Sequence, residues 1–203
     1  ISNGTILVMD KFLDYALDPI SQHQNAVNST IYRWLHSEDY SMVKYSVGHF
    51  ADFFRGLSRI ADLLEGLNLP PHIRIYIERI IQLLKEAPLG ELAALPQGHR
   101  FSPRQNLYFG FHLRGRYRSN ILELMDIFCR LDAWYSMAVA VKTYNLSFPE
   151  FVEQDTPIVE AQGLYHILIP QPIPYDLQMN PSHNFLFLTG ANMAGKSTLI
   201  KSV

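Results

Sequence analysis

The chain has 203 residues, 48% of them hydrophobic and 18% charged, with a net charge of −2. These values exclude a disordered or low-complexity chain and leave room for a sizeable core in one or two domains. They also exclude a global basic field, so any contact with nucleic acid has to come from a local patch.

Several bulk features narrow the setting. One cysteine, Cys129, rules out an internal disulfide framework and suits a reducing cytoplasm. Its apolar helical surroundings predict an inert, packed thiol. No uninterrupted apolar run approaches the ~18 residues of a membrane span, so no membrane partner is expected. The front of the chain carries no basic-then-apolar leader. It begins at Ile1 rather than Met, and is read as an internal stretch of a longer protein.

Residues 1–150 read as one helical domain. Ser21-Gln22-His23-Gln24 has capping-box spacing and predicts a helix running to about Leu35. Val43 to Leu67 is long and periodic, with Val47, Phe50, Phe54, Leu57, Ile60, Ala61, Leu64 and Leu67 recurring at threes and fours. Asn68-Leu69-Pro70-Pro71 ends it, and Pro71 can open the next helix because a first helical position needs no N–H. That helix carries Ile73, Ile77, Ile80, Ile81 and Leu84 and stops before Pro88.

Residues 88–118 lose this periodicity and predict an irregular connection. Within them Arg100, Arg104, Arg114, Arg116 and Arg118 occur without Asp or Glu, interleaved with Phe101, Tyr108, Phe109, Phe111 and Tyr117. Two readings compete. One is a surface contacting DNA phosphates. The other, which is preferred, is an inter-helix connection whose arginines pair with acids such as Glu123 and Asp126 and whose aromatics fill the core. Asn120-Ile121-Leu122-Glu123 then has cap spacing and predicts a strong helix to about Tyr144, with Ile121, Leu124, Met125, Phe128, Leu131, Tyr135, Ala138 and Val141 as its apolar positions.

Beyond Asn145 the composition changes. Prolines at 149, 157, 170, 172, 174 and 181 punctuate strand-like runs at Ile158 to Glu160, His166 to Ile169 and Phe185 to Leu188. Residues 151–203 are therefore read as the truncated opening of an α/β nucleotide domain. The fold class is mainly α, a multi-helix domain followed by the start of a P-loop domain.

That assignment rests on Gly190-Ala191-Asn192-Met193-Ala194-Gly195-Lys196-Ser197-Thr198, which reads G-x-x-x-x-G-K-S, a P-loop (Walker A) placed between an apolar run and a helix-compatible tail. Gly190 and Gly195 let the backbone curl and approach phosphate closely. The N–H groups of the curl form a nest for anionic oxygens. Lys196 is the candidate for stabilising β- and γ-phosphate charge and Ser197 for placing its hydroxyl on Mg²⁺, so the expected ligands are ATP and Mg²⁺. The eight histidines show no zinc-ligand spacing, and no structural zinc is predicted. His166, in this region, is read either as a turn histidine or as one facing nucleotide.

The loop resembles that of the MutS family of DNA mismatch-repair ATPases, typically T-G-P-N-M-x-G-K-S-T; here Thr189 leads in, Asn192-Met193 matches, and Ala191 replaces proline. Leu131-Asp132-Ala133-Trp134-Tyr135-Ser136-Met137-Ala138 with Tyr144-Asn145 and Pro149-Glu150 is similar to the family's L-D-x-x-x-S-x-A helix and its exit. Glu160-Ala161-Gln162-Gly163-Leu164-Tyr165-His166 resembles the segment that begins its ATPase domain, with Gln162 and Ile167 in place of Arg and Pro. Pro172-Ile173-Pro174-Tyr175-Asp176 is similar to the family's F-V-P-N-D, and Ile173 takes the position that packs on adenine. The Phe-x-Glu letters at Phe148-Pro149-Glu150 and Phe151-Val152-Glu153 match the family's mismatch-reading motif but sit at a helix exit, and are read as coincidence.

The resemblance implies a MutS-like core or lever domain over residues 1–150 and a DNA-binding ATPase that works as a homodimer on double-stranded DNA, mismatched or branched. Gly190, Ala191, Asn192, Met193, Ala194, Gly195, Lys196, Ser197, Thr198 and Ile173 would hold the nucleotide, with Lys196 and Ser197 in the catalytic roles. The acids that complete the metal shell are expected beyond Val203, so this stretch alone is expected to be inactive. The alternative is a helical DNA- or partner-binding scaffold whose P-loop is vestigial or acts only as a switch.

Overall fold

The computed structural model describes residues 1–191 and 194–203. It is mainly helical, as its pattern predicts, and divides into two compact units, Ile1–Ser136 and Met137–Val203. In chain order the helices are α1 (Asn3–Asp14), α2 (Ala26–Leu35), α3 (Ser37–Leu64), α4 (Pro71–Leu84), α5 (Ala87–Ala94), α6 (Pro103–Arg114) and α7 (Arg118–Tyr144). Strands β1 (Val159–Leu164) and β2 (Tyr175–Met179) and helix α8 (Lys196–Ser202) follow.

The first unit is organised on α3, which packs against α1, α2, α4, α5 and α6. Its buried side chains include Val43, Val47, Phe50, Phe54, Leu57 and Ala61, a 4-3-4-3-4 progression that keeps one stripe facing inward. Phe53 adds a second ring beside that stripe and is also fully buried. Phe12 of α1 meets Phe50 edge-on at 5.6 Å, and Phe128 of α7 meets Phe53 at 5.8 Å, arrangements favoured by the ring quadrupole. Arg55 of α3 fastens the end of α5 by donating to the carbonyls of Leu95 and Pro96.

Several boundaries depart from the sequence pattern. Ser21 to Gln24 do not cap α2; they form a local turn, with the Gln24 side chain donating to the Ser21 carbonyl, and Asn25 caps the helix through Asn28 N–H at 2.7 Å. The stretch read as an irregular connection, 88–118, holds α5 and α6. α5 is apolar nearly all round and α6 mixes rings with arginines, so neither presents a stripe. α6 nonetheless opens on a full capping box: Ser102 accepts from Gln105 N–H, Gln105 accepts from Ser102 N–H, and Pro103 sits at the first position. α7 begins at Arg118, which places Asn120 inside the helix rather than at its cap.

Cys129 is exposed, not packed: the inward face of α7 is Ile121, Leu124, Met125 and Ile127, and residue 129 falls outside it. Tyr135, read as an apolar helix position, is 71% exposed.

The second unit contains one antiparallel pair. β1 and β2 register Val159 opposite Met179 and Leu164 opposite Tyr175, with an irregularity between Ala161 and Leu164. The Asp176 carboxylate accepts from Gly163 N–H at 2.8 Å across that irregularity. His166 to Ile169 form a turn rather than a strand, and His166 belongs to it, its ring nitrogen accepting from Leu168 N–H. Phe185 to Leu188 are extended but unpaired, with Phe185 80% and Phe187 76% exposed. A strand is defined by a neighbouring ladder, and among the described residues no segment pairs with this one.

Candidate phosphate-binding loop

The loop from Gly190 to Thr198 leads into α8. Gly190 has φ +146° and Gly195 φ +83°, values that side-chain-bearing residues rarely adopt. Gly195 is the residue from which α8 departs, and Leu199 N–H closes the first turn on its carbonyl at 3.0 Å. Ala194 N–H donates to the Ala191 carbonyl at 3.2 Å. Asn192 and Met193 lie outside the described residues.

Lys196 opens α8 and turns back over the loop. Its Nζ donates to the carbonyls of Gly190 at 2.5 Å and Ala191 at 2.7 Å. The cation is thereby held beside the first residues of the loop. Ser197 is exposed. The two glycine conformations, the lysine beside them and an accessible hydroxyl next to it are features that suit a phosphate with its metal ion.

Ile173, the candidate for the base, is 88% exposed. Two residues on, Tyr175 reaches α8: its hydroxyl lies 2.5 Å from Ser202 Oγ and 3.2 Å from the Leu199 carbonyl. In the resemblance to F-V-P-N-D, Tyr175 stands where the family has Asn. No local spacing links positions 175 and 202, so the contact is visible only in the fold. A separate cleft of about 540 Å³ in the same unit is bordered by Tyr144, Tyr165, Ile167, Leu168 and Pro172, and none of the described loop residues lines it.

The arginines of 100–118 are engaged differently from the pairing read in the sequence. Arg118 pairs with Asp14 at 2.6 Å, Arg114 donates to the Tyr15 carbonyl and lies over the Phe12 ring, and Arg116 lies over Tyr117. Glu123 and Asp126 instead hold Arg79 and Arg130. The stretch is two helices rather than a connection, and α1 is the partner of Arg114 and Arg118.

The first unit also gathers polar groups that spacing could not reveal. His36 Nδ1 meets Asp18 Oδ2 at 2.6 Å, Asp18 N–H donates to Asp39 Oδ2 at 2.9 Å, and the Tyr32 hydroxyl donates to the Asp18 carbonyl. Burial and the charges of Asp39 and Asp18 push the Tyr32 phenol up to about 12. Donor atoms of Asp18, His36 and Asp39 all lie within 4.8 Å of one another. In this structure they clasp the segment between α1 and α2 to the α2–α3 junction.

Comparison with known proteins places one relationship beside this geometry. The chain is similar to the DNA mismatch repair protein MutS of Pseudothermotoga lettingae, 32% identical over 91 residues. It is 33% identical over 88 residues to that of Oleidesulfovibrio alaskensis and 29% over 91 residues to that of Petrotoga mobilis. Each match covers 41–43% of this chain and only 10–11% of the relative. No family model and no solved structure matches. Over about two fifths of its length, then, the chain has a MutS-like relationship. Among the described residues no helix is long and apolar enough to cross a membrane.

Proposed function

We propose that this chain is part of a MutS-like, DNA-binding ATPase of the cytoplasm that binds ATP with Mg²⁺ at Gly190–Thr198 and hydrolyses it as a dimer on mismatched or branched duplex DNA. The observation that carries the reading is the G-x-x-x-x-G-K-S loop, with both glycines in conformations that suit them and Lys196 beside the first residues of the loop. The partial similarity to MutS proteins is consistent with it at the family level.

In this reading the backbone of the curl cradles the phosphates and Lys196 exchanges its two carbonyl partners for phosphate oxygens. Ser197 supplies a hydroxyl to Mg²⁺, and Ile173 offers an apolar surface to the base. The metal ion would supply charge neutralisation between the phosphate oxygens.

Steady-state ATP hydrolysis by the full-length protein, compared with its Lys196→Ala variant and measured with and without mismatched and branched duplexes, tests this. Turnover is expected to fall on the order of 10²–10³-fold on losing the lysine, the scale of removing one preorganised electrostatic group. DNA is expected to change the wild-type rate. Absence of turnover and of nucleotide binding in the intact protein would leave a helical scaffold with a vestigial loop.

A further inference from the structure

We infer that Tyr175 is a positioning residue that fixes the base-side segment to the phosphate-binding loop, so that a nucleotide, but not a bare polyphosphate, depends on it. The inference rests on the nucleotide reading above.

The two hydroxyls share the helix carbonyls. Ser202 Oγ lies 2.9 Å from the Thr198 carbonyl and 3.0 Å from that of Leu199, and the Tyr175 hydroxyl lies 3.2 Å from the Leu199 carbonyl and 2.5 Å from Ser202 Oγ. Carbonyls only accept, so whichever hydroxyl donates to the other, the second proton goes to the helix backbone. One end of this link is the first residue of β2 and the other is the backbone of the loop's own helix.

No described residue of α8 is buried, and the Tyr175 hydroxyl is a contact through which β2 meets this helix. Tyr175 is half-buried and stands two residues after Ile173, whose side chain is exposed. The bond thus sets the separation between the surface that meets the base and the loop that meets the phosphates. A ligand bridging both is sensitive to that separation. A ligand that occupies the loop alone is not.

The test is a binding titration of the full-length protein with a fluorescent ATP analogue and Mg²⁺, with inorganic tripolyphosphate as competitor, on wild type, Tyr175→Phe, Ser202→Ala, the double variant and Lys196→Ala. Losing the link is expected to weaken the nucleotide about five- to tenfold in Tyr175→Phe and by less in Ser202→Ala, where the Tyr175 bond to the Leu199 carbonyl remains. The double variant should be no weaker than Tyr175→Phe, because removing the phenol hydroxyl already breaks both of its bonds to α8. Tripolyphosphate competition should stay unchanged in Tyr175→Phe. Equal loss of nucleotide and tripolyphosphate would mean that Tyr175 only keeps α8 folded, and would overturn the inference. So would wild-type nucleotide affinity in Tyr175→Phe alongside a loss in Lys196→Ala, an outcome that leaves the nucleotide reading standing. Unchanged binding in Lys196→Ala would remove that reading, and this inference with it.

Discussion

Glu123 of α7 receives two hydrogen bonds from one guanidinium, Arg79 Nε at 2.6 Å and a terminal nitrogen at 2.8 Å, joining α4 to α7. The bidentate bond holds the Glu123 carboxyl below its ordinary value of 4.5, more than burial raises it. The sign of the linkage follows. Between the ordinary value and the lower folded one, the unfolded chain binds the proton and the folded chain does not, so stability falls as pH drops through that window. Above it the contribution is fully present. Urea midpoints measured from pH 6 to pH 3 should therefore decline less steeply in Glu123→Gln than in wild type. Parallel slopes would show that the pair does not couple to folding. Both side chains are over a third exposed, so the effect will shrink with added salt.

At the scale of elements, caps decided what hydrophobic periodicity could not. α3 was legible because nearly every third or fourth residue from Val43 to Ala61 is buried, and α4 because Pro71 opens it after a proline break. α6 was not legible by stripe, yet Ser102-Pro103-Arg104-Gln105 carries the reciprocal cap in plain letters. Ser102→Ala should cost about 1 kcal/mol of unfolding free energy, since the Gln105 N–H of the first turn loses its partner. Chemical denaturation of this single variant checks it, and an unchanged midpoint would mean that packing of α6 on α3 carries the helix unaided. The candidate site divides the same way. Its loop was readable because the residue types are dictated locally by the turn and the phosphate. Tyr175 and Ser202 were not, since a contact across 27 positions obeys no spacing. Phe185 to Leu188 misled the strand reading because an apolar run signals burial, and burial requires a neighbour that a sequence window does not contain.

For the whole molecule, burial is concentrated at one end of the chain. Among the described residues the buried set runs from Thr5 to Ile127, and nothing after Ile127 is buried. Local opening is cheap where few apolar contacts resist it. Hydrogen exchange should accordingly protect the amides of α3 and α6 by orders of magnitude more than those of β1, β2 and α8. Similar protection in both units would contradict that gradient. In the first unit, α2 and α3 meet at one residue: the N–H of His36 closes α2 on Tyr32, while its carbonyl receives Tyr40 N–H to start α3. A single residue has two soft backbone torsions, so the pair behaves as two rods on a pivot that can bend yet cannot slide. Asp18 grips the ring of His36 at that pivot. A swing of α2 about that residue therefore has to carry the Asp18 carboxylate with it or break its bond to His36.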